Sequence, residues 1–471
     1  MKCKILFYTL ALLLFASCAR KNKNIAVIHS DVADSVFKEI HLVPYKGMAN
    51  YLTQFYDEGF TFSGGTTFSW KVDTVESRTF FSHNNGYFWT PIFITPGDSV
   101  SVKLLKNGEQ YDVIFEGENA AHYNYESKKR KAIQMEDPNP TQDIAPYEYK
   151  KQLLACRIEE EKFLEKYKKE NKVSAEFVDY ASAEINNKYV LGLYCYVYFN
   201  KCKVDAEKFL EGTEIVQNPL SHSAIDAFFY KYVMCASNSD VSKNYNAIQT
   251  EVIPQFRSTL IADLIIWFAK KGDVSYKSAL TEMMSQIEKI SQDSMLQTVV
   301  KEYGPFYSLS GTVLPDSVLD NTHLLSYKDS KEMTLRQVFE KCGNTAVCLD
   351  FWASWCGPCR MTNAQSKENK HELNDKGVVV AYISVDDDKD AWEKAVKEDD
   401  ISENQYLLLD EENSPLSKNL KIRESGIPRF VLFNKKHEIG LLSAPRPVGC
   451  MFQDLKAVIE SNPEDYVRLN K

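Results

Sequence analysis

Apolar and polar residues alternate in short runs from Ile25 to about Tyr125, as in Glu39-Ile40-His41-Leu42-Val43, Thr67-Phe68-Ser69-Trp70-Lys71-Val72 and Tyr87-Phe88-Trp89-Thr90-Pro91-Ile92-Phe93-Ile94. A period of two predicts strands with one buried face. Gly64-Gly65, Asn84-Asn85-Gly86 and Pro96-Gly97-Asp98 separate the runs and supply the backbone angles of tight turns. An all-β, sandwich-like domain over residues 26–125 is expected.

Beyond it the pattern changes. From about Ser127 to Ser308 glycine is sparse and long charged and apolar stretches run on, such as Tyr147 to Lys172 and Ser258 to Lys271. Leu260, Ile261, Leu264, Ile265 and Phe268 recur at three and four, which predicts one buried stripe on an amphipathic helix. Lys128-Lys129-Arg130-Lys131 reads as a solvated helix face. Cys195 and Cys202 would share a helix face; with no His or carboxylate at ligand spacing they read as small buried hydrophobes. This is an all-α middle domain over 126–310.

Gly304-Pro305, Gly311 and Pro315 mark a boundary, after which strands and helices alternate. Strands are expected at His323 to Tyr327, Thr345 to Phe351, Val378 to Val385 and Phe430 to Phe433, and helices from Thr334 and from Met451. Val378 to Val385 is almost continuously apolar, as a central strand covered on both faces requires. The third domain, 311–471, is therefore α/β.

The 471 residues are 44% apolar, 12% aromatic and 26% charged, which excludes a disordered, collagenous or multispanning chain. A formal charge of −9 has the wrong sign for gripping a phosphate backbone, so no nucleic-acid partner is expected. Lys2 and Lys4 precede the apolar run Ile5 to Phe15 and then Ala16-Ser17-Cys18, the pattern of an export signal over 1–17. That run is too short for the roughly 20 residues of a membrane-spanning helix. Its end resembles a bacterial lipoprotein box, which implies lipidation of Cys18, a polar tether over 18–25 and attachment to a membrane surface. Of the eleven cysteines, loss of Cys3 with the signal and of Cys18 to lipid leaves an odd number. At least one stays unpaired or works transiently.

Only Cys356 and Cys359 have a motif's spacing. Zinc sites also use C-x-x-C, but zinc wants a second ligand pair and none stands at comparable spacing, so no metal is expected. The pair follows a buried strand and opens a helix. Backbone N–H groups and the dipole at a helix start favour negative charge, so Cys356 is expected to titrate below the roughly 8.5 of a free thiol and to act as nucleophile. Cys359, one turn along, would resolve the mixed disulfide. Pro358 suits an early helical position that needs no donor. No G-x-G-x-x-G fingerprint occurs, and no dissociable cofactor is expected.

The stretch Leu349-Asp350-Phe351-Trp352-Ala353-Ser354-Trp355-Cys356-Gly357-Pro358-Cys359 resembles a thioredoxin active site, with Trp355, Gly357 and Pro358 adding specificity. The resemblance implies a thioredoxin-like fold and a buried acid at Asp350 that takes the proton of Cys359. It also implies a cis-proline loop at Gly426-Ile427-Pro428-Arg429-Phe430, facing the cysteines, where the Ile427 backbone pairs with substrate. A strand-end Asp350 without a proton role and a trans turn at Pro428 are the plainer alternatives. Thioredoxins commonly set a Lys near the acid; the strand position that corresponds is Tyr382, which leaves the tuning of Asp350 open. Arg429 stands where Thr is frequent, a change expected to alter partner choice.

The long segment from Val385 to Pro428, with an added helix at Asp390 to Val396 and strand at Tyr406 to Leu409, resembles the TlpA/ResA branch of anchored extracytoplasmic reductases. So do Lys328-Asp329-Ser330-Lys331-Glu332 and Ala444-Pro445-Arg446-Pro447. Thr95-Pro96-Gly97-Asp98-Ser99-Val100 and Phe115-Glu116-Gly117-Glu118-Asn119-Ala120 resemble the β domain of thioredoxin-like lipoproteins of the Bacteroidota. These resemblances imply a periplasm-facing membrane lipoprotein of the cell envelope. It would reduce disulfides of envelope proteins and draw electrons from a membrane thiol donor. A net disulfide oxidase or isomerase would use the same residues at another redox poise. An envelope binding or scaffold protein with a regulatory redox site is the alternative from a different class. A thiol peroxidase is disfavoured, because Ala353 and Leu349 occupy the places of its Thr or Ser and its Pro.

Overall fold

The computed structural model describes residues 24–30, 32, 39–45, 59–82, 88–107, 110–235 and 241–467. The export signal, Cys18 and the Asn84-Asn85-Gly86 turn lie outside the described residues. The chain divides into two compact units. One takes the chain up to Asn139 with Ile144–Gly192 and Glu214–Ala227; the other takes Pro140–Asp143, Leu193–Thr213 and the chain from Phe228 onward.

In the first unit, strands β1 (Ile25–Ser30), β4 (Thr67–Lys71), β7 (Ser99–Asn107) and β8 (Gln110–Glu118) form a sheet in the order β4-β1-β7-β8. Strands β2 (Ile40–Val43), β3 (Phe60–Phe62), β5 (Glu76–Ser82) and β6 (Phe88–Ile94) form a second, in the order β3-β2-β5-β6. Alternation sends Ala26, Ile28, Val100, Val102, Val113 and Phe115 of one sheet into a single core with Ile40, Leu42, Phe80, Ile92 and Ile94 of the other. The sandwich-like reading holds. Asp98 closes the Pro96-Gly97 turn by accepting the Thr95 N–H at 2.7 Å, while Gly97 takes a φ of 86° that only glycine adopts without strain.

Helices α1 (Ala120–Ala132), α2 (Pro146–Glu170) and α3 (Ala175–Asn200) follow. Lys128, Arg130 and Lys131 are exposed as expected, but Lys129 is not part of a solvated face. It is held between Glu126 at 3.0 Å and Glu160 at 3.1 Å, because its place on α1 turns toward α2.

The helical part of the second unit includes α4 (Val241–Glu251), α5 (Pro254–Lys271), α6 (Lys277–Ile290) and α7 (Ser294–Ser308). Helix α5 carries more than one buried stripe. Thr259 through Ile266 are all buried, since α4, α6, α7 and the sheet surround it. Its C-cap Gly272 has φ 60°, and a Cβ there would collide with Leu442. Nor does Gly304-Pro305 end a helix. Pro305 lies inside the last turn of α7, where buried Tyr303, Phe306 and Tyr307 hold the chain despite the missing N–H.

A seven-stranded sheet follows, built from β9 (His323–Ser326), β10 (Glu332–Thr334), β11 (Ala346–Trp352), β12 (Val378–Ser384), β13 (Gln405–Leu408), β14 (Arg429–Phe433) and β15 (Ile439–Ala444). The order is β10-β9-β13-β12-β11-β14-β15. Strands β11, β12 and β13 run parallel, while β14 lies antiparallel beside β11. Helices α8 (Leu335–Cys342), α9 (Gly357–Gln365), α10 (Lys367–Asp375), α11 (Lys389–Asp399) and α12 (Gly449–Ser461) intervene. Thr334 and Gln337 form a capping box at the start of α8. Each face of the sheet has its own apolar cluster, so β11 and β14 are buried at every residue.

Cys202 is not a buried hydrophobe on the face of Cys195. Helix α3 ends at Asn200, which leaves Cys202 exposed in the following turn, where it is disulfide-bonded to Cys450 across 248 residues.

Candidate active site

Strand β11 delivers the chain from the interior to the start of α9. Cys356 is the N-cap of α9, and its Sγ accepts the Cys359 N–H at 3.2 Å. The two sulfurs are joined as a disulfide. Pro358 fills the second helical position, where its missing donor costs nothing. Gly357 and Pro358 are exposed, Trp355 is 69% exposed, and the cysteines are only 5% and 1% exposed. An apolar rim thus surrounds a nearly sealed disulfide.

The loop before Cys356 is pinned from β12. Buried Asp386 accepts the Ser354 N–H at 2.9 Å, the Ser354 hydroxyl at 2.5 Å and the Ser384 hydroxyl at 2.7 Å, while the Val385 N–H reaches the Trp352 carbonyl. Sequence reasoning did not single out Asp386. Its signal was the strand end followed by Asp386-Asp387-Asp388.

Asp350 is 1% exposed, so it is not the partly exposed strand-end residue of the plainer alternative. Alternation along β11 places Cys348, Asp350 and Trp352 on the face whose cluster includes Cys356 and Cys359, and Val347, Leu349 and Phe351 on the other. Its partner is a lysine after all. Lys370 of α10 reaches Asp350 Oδ2 at 2.8 Å and Asn363 Oδ1 at 3.0 Å, and its ammonium lies 4.3 Å from the centre of the Tyr382 ring. Tyr382 and Phe430 flank Asp350 in register on β12 and β14. Burial pushes the Asp350 carboxyl up, with Lys370 opposing. For Lys370 burial pulls down, but Asp350 and Tyr382 outweigh it and the ammonium is held. The cation comes from a helix, not from the strand. Asn363, Ser366, Lys370 and Leu373 are all buried at spacings of three and four, so a lysine in an inward stripe was the available signal.

Gly426, at φ 72°, leads into a cis Ile427-Pro428 bond, and Ile427 packs against the cluster that holds the cysteines. Arg429 does not face a partner. It is buried at 5% exposure and donates to the carbonyls of Leu420, Lys421 and Leu442 and to the Ser425 hydroxyl. Burial lowers its pKa to about 10. Its register partner is Phe351, on the face away from the cysteines, so alternation turns Arg429 inward on the far side. The structure therefore brings together Cys356, Cys359, Asp350, Trp355, Gly357, Pro358, Ile427 and Pro428 where β11 ends and the antiparallel β14 begins, inside the sheet, and adds Lys370 and Asp386.

A cavity of about 650 Å³ between α6 and α7, lined by Lys277, Met284, Gln297, Lys301 and Tyr307, contains none of these residues. Among the described residues no group of three or more His, Cys, Asp or Glu could hold a metal ion, and no helix is long and apolar enough to cross a membrane.

Residues 343–439 match a family described as thioredoxin-like, so the C-terminal part of the chain is a thioredoxin-like domain. Among curated proteins, a 45-residue stretch is 47% identical to thioredoxin from Alicyclobacillus acidocaldarius, covering 10% of this chain and 42% of that protein. A 59-residue stretch is 34% identical to thioredoxin from Coprinus comatus, covering 12% and 56%. The chain thus spans about half the length, or less, of the curated relatives it matches. Among solved structures, a thiol-disulfide oxidoreductase from Bacteroides fragilis is 27% identical over 28% of this chain and 95% of its own, with a TM-score of 0.24. The thioredoxin domain of a thiol-disulfide oxidoreductase from Bacteroides vulgatus is 23% identical over 31% and 97%, with a TM-score of 0.25.

Proposed function

We propose that this protein is a thiol-disulfide oxidoreductase that reduces disulfides of envelope proteins. The observation that carries the reading is a cysteine pair at the start of a helix, above a buried Asp350 held by Lys370. In the reduced enzyme the Cys356 thiolate attacks one sulfur of a client disulfide; the other sulfur leaves with the electron pair, and a mixed disulfide forms. Asp350 takes the proton of Cys359, whose sulfur then attacks Cys356 Sγ and expels the client as a dithiol. The product is the Cys356–Cys359 disulfide, the form described above. Trp355, Gly357, Pro358 and the Ile427-Pro428 edge form the surface on which an extended client segment pairs.

Lipidation of Cys18 would hold the enzyme at the membrane facing the periplasm, where a membrane thiol donor returns the two electrons. Gly-Pro between the cysteines supports reduction as the net direction, with a potential nearer the about −270 mV of thioredoxin than the about −120 mV of the oxidant DsbA. The test is capture. Cys359→Ala in native envelope extracts should leave Cys356 bonded to its client for identification by mass spectrometry, and the intact protein should reduce insulin. No adduct together with no insulin reduction would defeat the reading; a potential near the oxidant's value would reverse its direction.

A further inference from the structure

The second disulfide of the C-terminal unit lies at the surface, where the first does not. Cys202 is exposed in a turn closed by the Lys203 N–H onto the Asn200 carbonyl at 2.7 Å, and its partner Cys450 is the second residue of α12 and half-buried. Helix α12 begins without a side-chain cap, so the positive end of its dipole is beside Cys450. A sulfur leaving from that position departs as a favoured thiolate, and Cys202, the more exposed residue of the two, is the one on which attack is expected.

We infer that Cys202–Cys450 is a second thiol-exchange site, opened by a small thiol attacking Cys202 Sγ while the fold stays intact. The incoming thiolate bonds to Cys202 Sγ as the disulfide breaks, and the electron pair leaves on Cys450 Sγ. A second thiolate attacks the incoming sulfur, forming the small-molecule disulfide and releasing Cys202 as a thiolate. The protein sulfurs take the two protons the thiols gave up. Two thiols are oxidised to one disulfide, and one protein disulfide is reduced.

Opening has a local consequence. The Lys201–Asp454 ion pair also joins the turn after α3 to α12, but both side chains are about two-fifths exposed, where such pairs are weak. The chain from β15 into α12 also offers its Pro447 carbonyl to Asn369 Nδ2 at 2.9 Å, one residue before Lys370. Reduction therefore frees the start of α12 and loosens a contact next to the cation of Asp350. None of this rests on the catalytic reading.

The test uses the full chain with Cys356→Ser and Cys359→Ser, which isolates the second disulfide. Non-reducing peptide mapping should recover the Cys202 and Cys450 peptides joined. In millimolar glutathione at neutral pH both cysteines should become alkylatable with circular dichroism unchanged, early acid quenching should find glutathione on Cys202 in excess over Cys450, and amide exchange over residues 445–455 should rise about tenfold. Peptides that are never joined, sulfurs that resist until the dichroism collapses, glutathione found mainly on Cys450, or unaltered exchange over 445–455 would each overturn the proposal. Failure of the unmutated chain to reduce insulin, with this exchange intact, would count against the catalytic reading alone.

Discussion

The β-sandwich of the first unit and the seven-stranded sheet of the second each bury an aspartate, and each disposes of the charge differently. Asp98 accepts from the Thr95 N–H at 2.7 Å, from Asn119 at 2.7 Å and from the Tyr123 hydroxyl at 3.0 Å, all neutral donors. Asp350 accepts from a buried ammonium. Burial raises both carboxyls, opposed by neutral hydrogen bonds in one and by Lys370 in the other. Neutral donors around a turn hold an oxygen in place; a buried cation bonded to an acid on the cysteine-side face of β11 makes a pair that responds to a proton.

The largest expected effect tests that cation. Lys370→Met should cost about 3–5 kcal/mol at pH 8, the usual result of stripping one partner from a buried pair, as read by urea unfolding. Without Lys370 the folded Asp350 carboxyl rises further above its unfolded value of about 3.9. Such a group stabilises the fold fully below the unfolded value and loses that contribution as pH rises through the folded one, so the deficit should shrink toward pH 4. A deficit that is small at pH 8, or flat with pH, would make Lys370 ordinary. Next in size, Asp350→Asn should slow the resolving step about 100-fold and remove the acid limb of its pH profile in single-turnover disulfide exchange. An unchanged rate would reduce Asp350 to the structural role of Asp98. Smallest, Asp98→Asn keeps one accepting oxygen and should cost about 1–3 kcal/mol while leaving alkylation of reduced Cys356 untouched. Altered alkylation would erase the distinction between the two sites.

Much of this was readable in the residues. The alternating runs at Thr67 to Val72 and Tyr87 to Ile94 became β4 and β6, and the nearly unbroken apolar run from Val378 became the interior strand β12. The added helix and strand between Val385 and Pro428 are α11 and β13. Strand β15, Ile-Gly-Leu-Leu-Ser-Ala, escaped because it is covered on both faces and shows no alternation, and β10 because it is three residues long. Arg429 was misjudged although the pattern held the answer. Phe430 and Leu432 join the cysteine-side cluster and Val431 and Phe433 the opposite one, so Arg429 turns away from the cysteines. Spacing marked Lys370 as an inward lysine but not its partner, which comes from another element, and it gave nothing for Cys450, whose partner lies 248 residues away.

Strand β11 is buried at each of its seven residues and bonded on both sides, to β12 and β14. Its amides should rank among the last in the protein to trade hydrogen for deuterium. In the proposed cycle the cysteine pair makes and breaks its bond on a short loop, Ala353 to Cys356, moored to this segment, and the sheet beneath is expected to keep the same exchange pattern in both redox states.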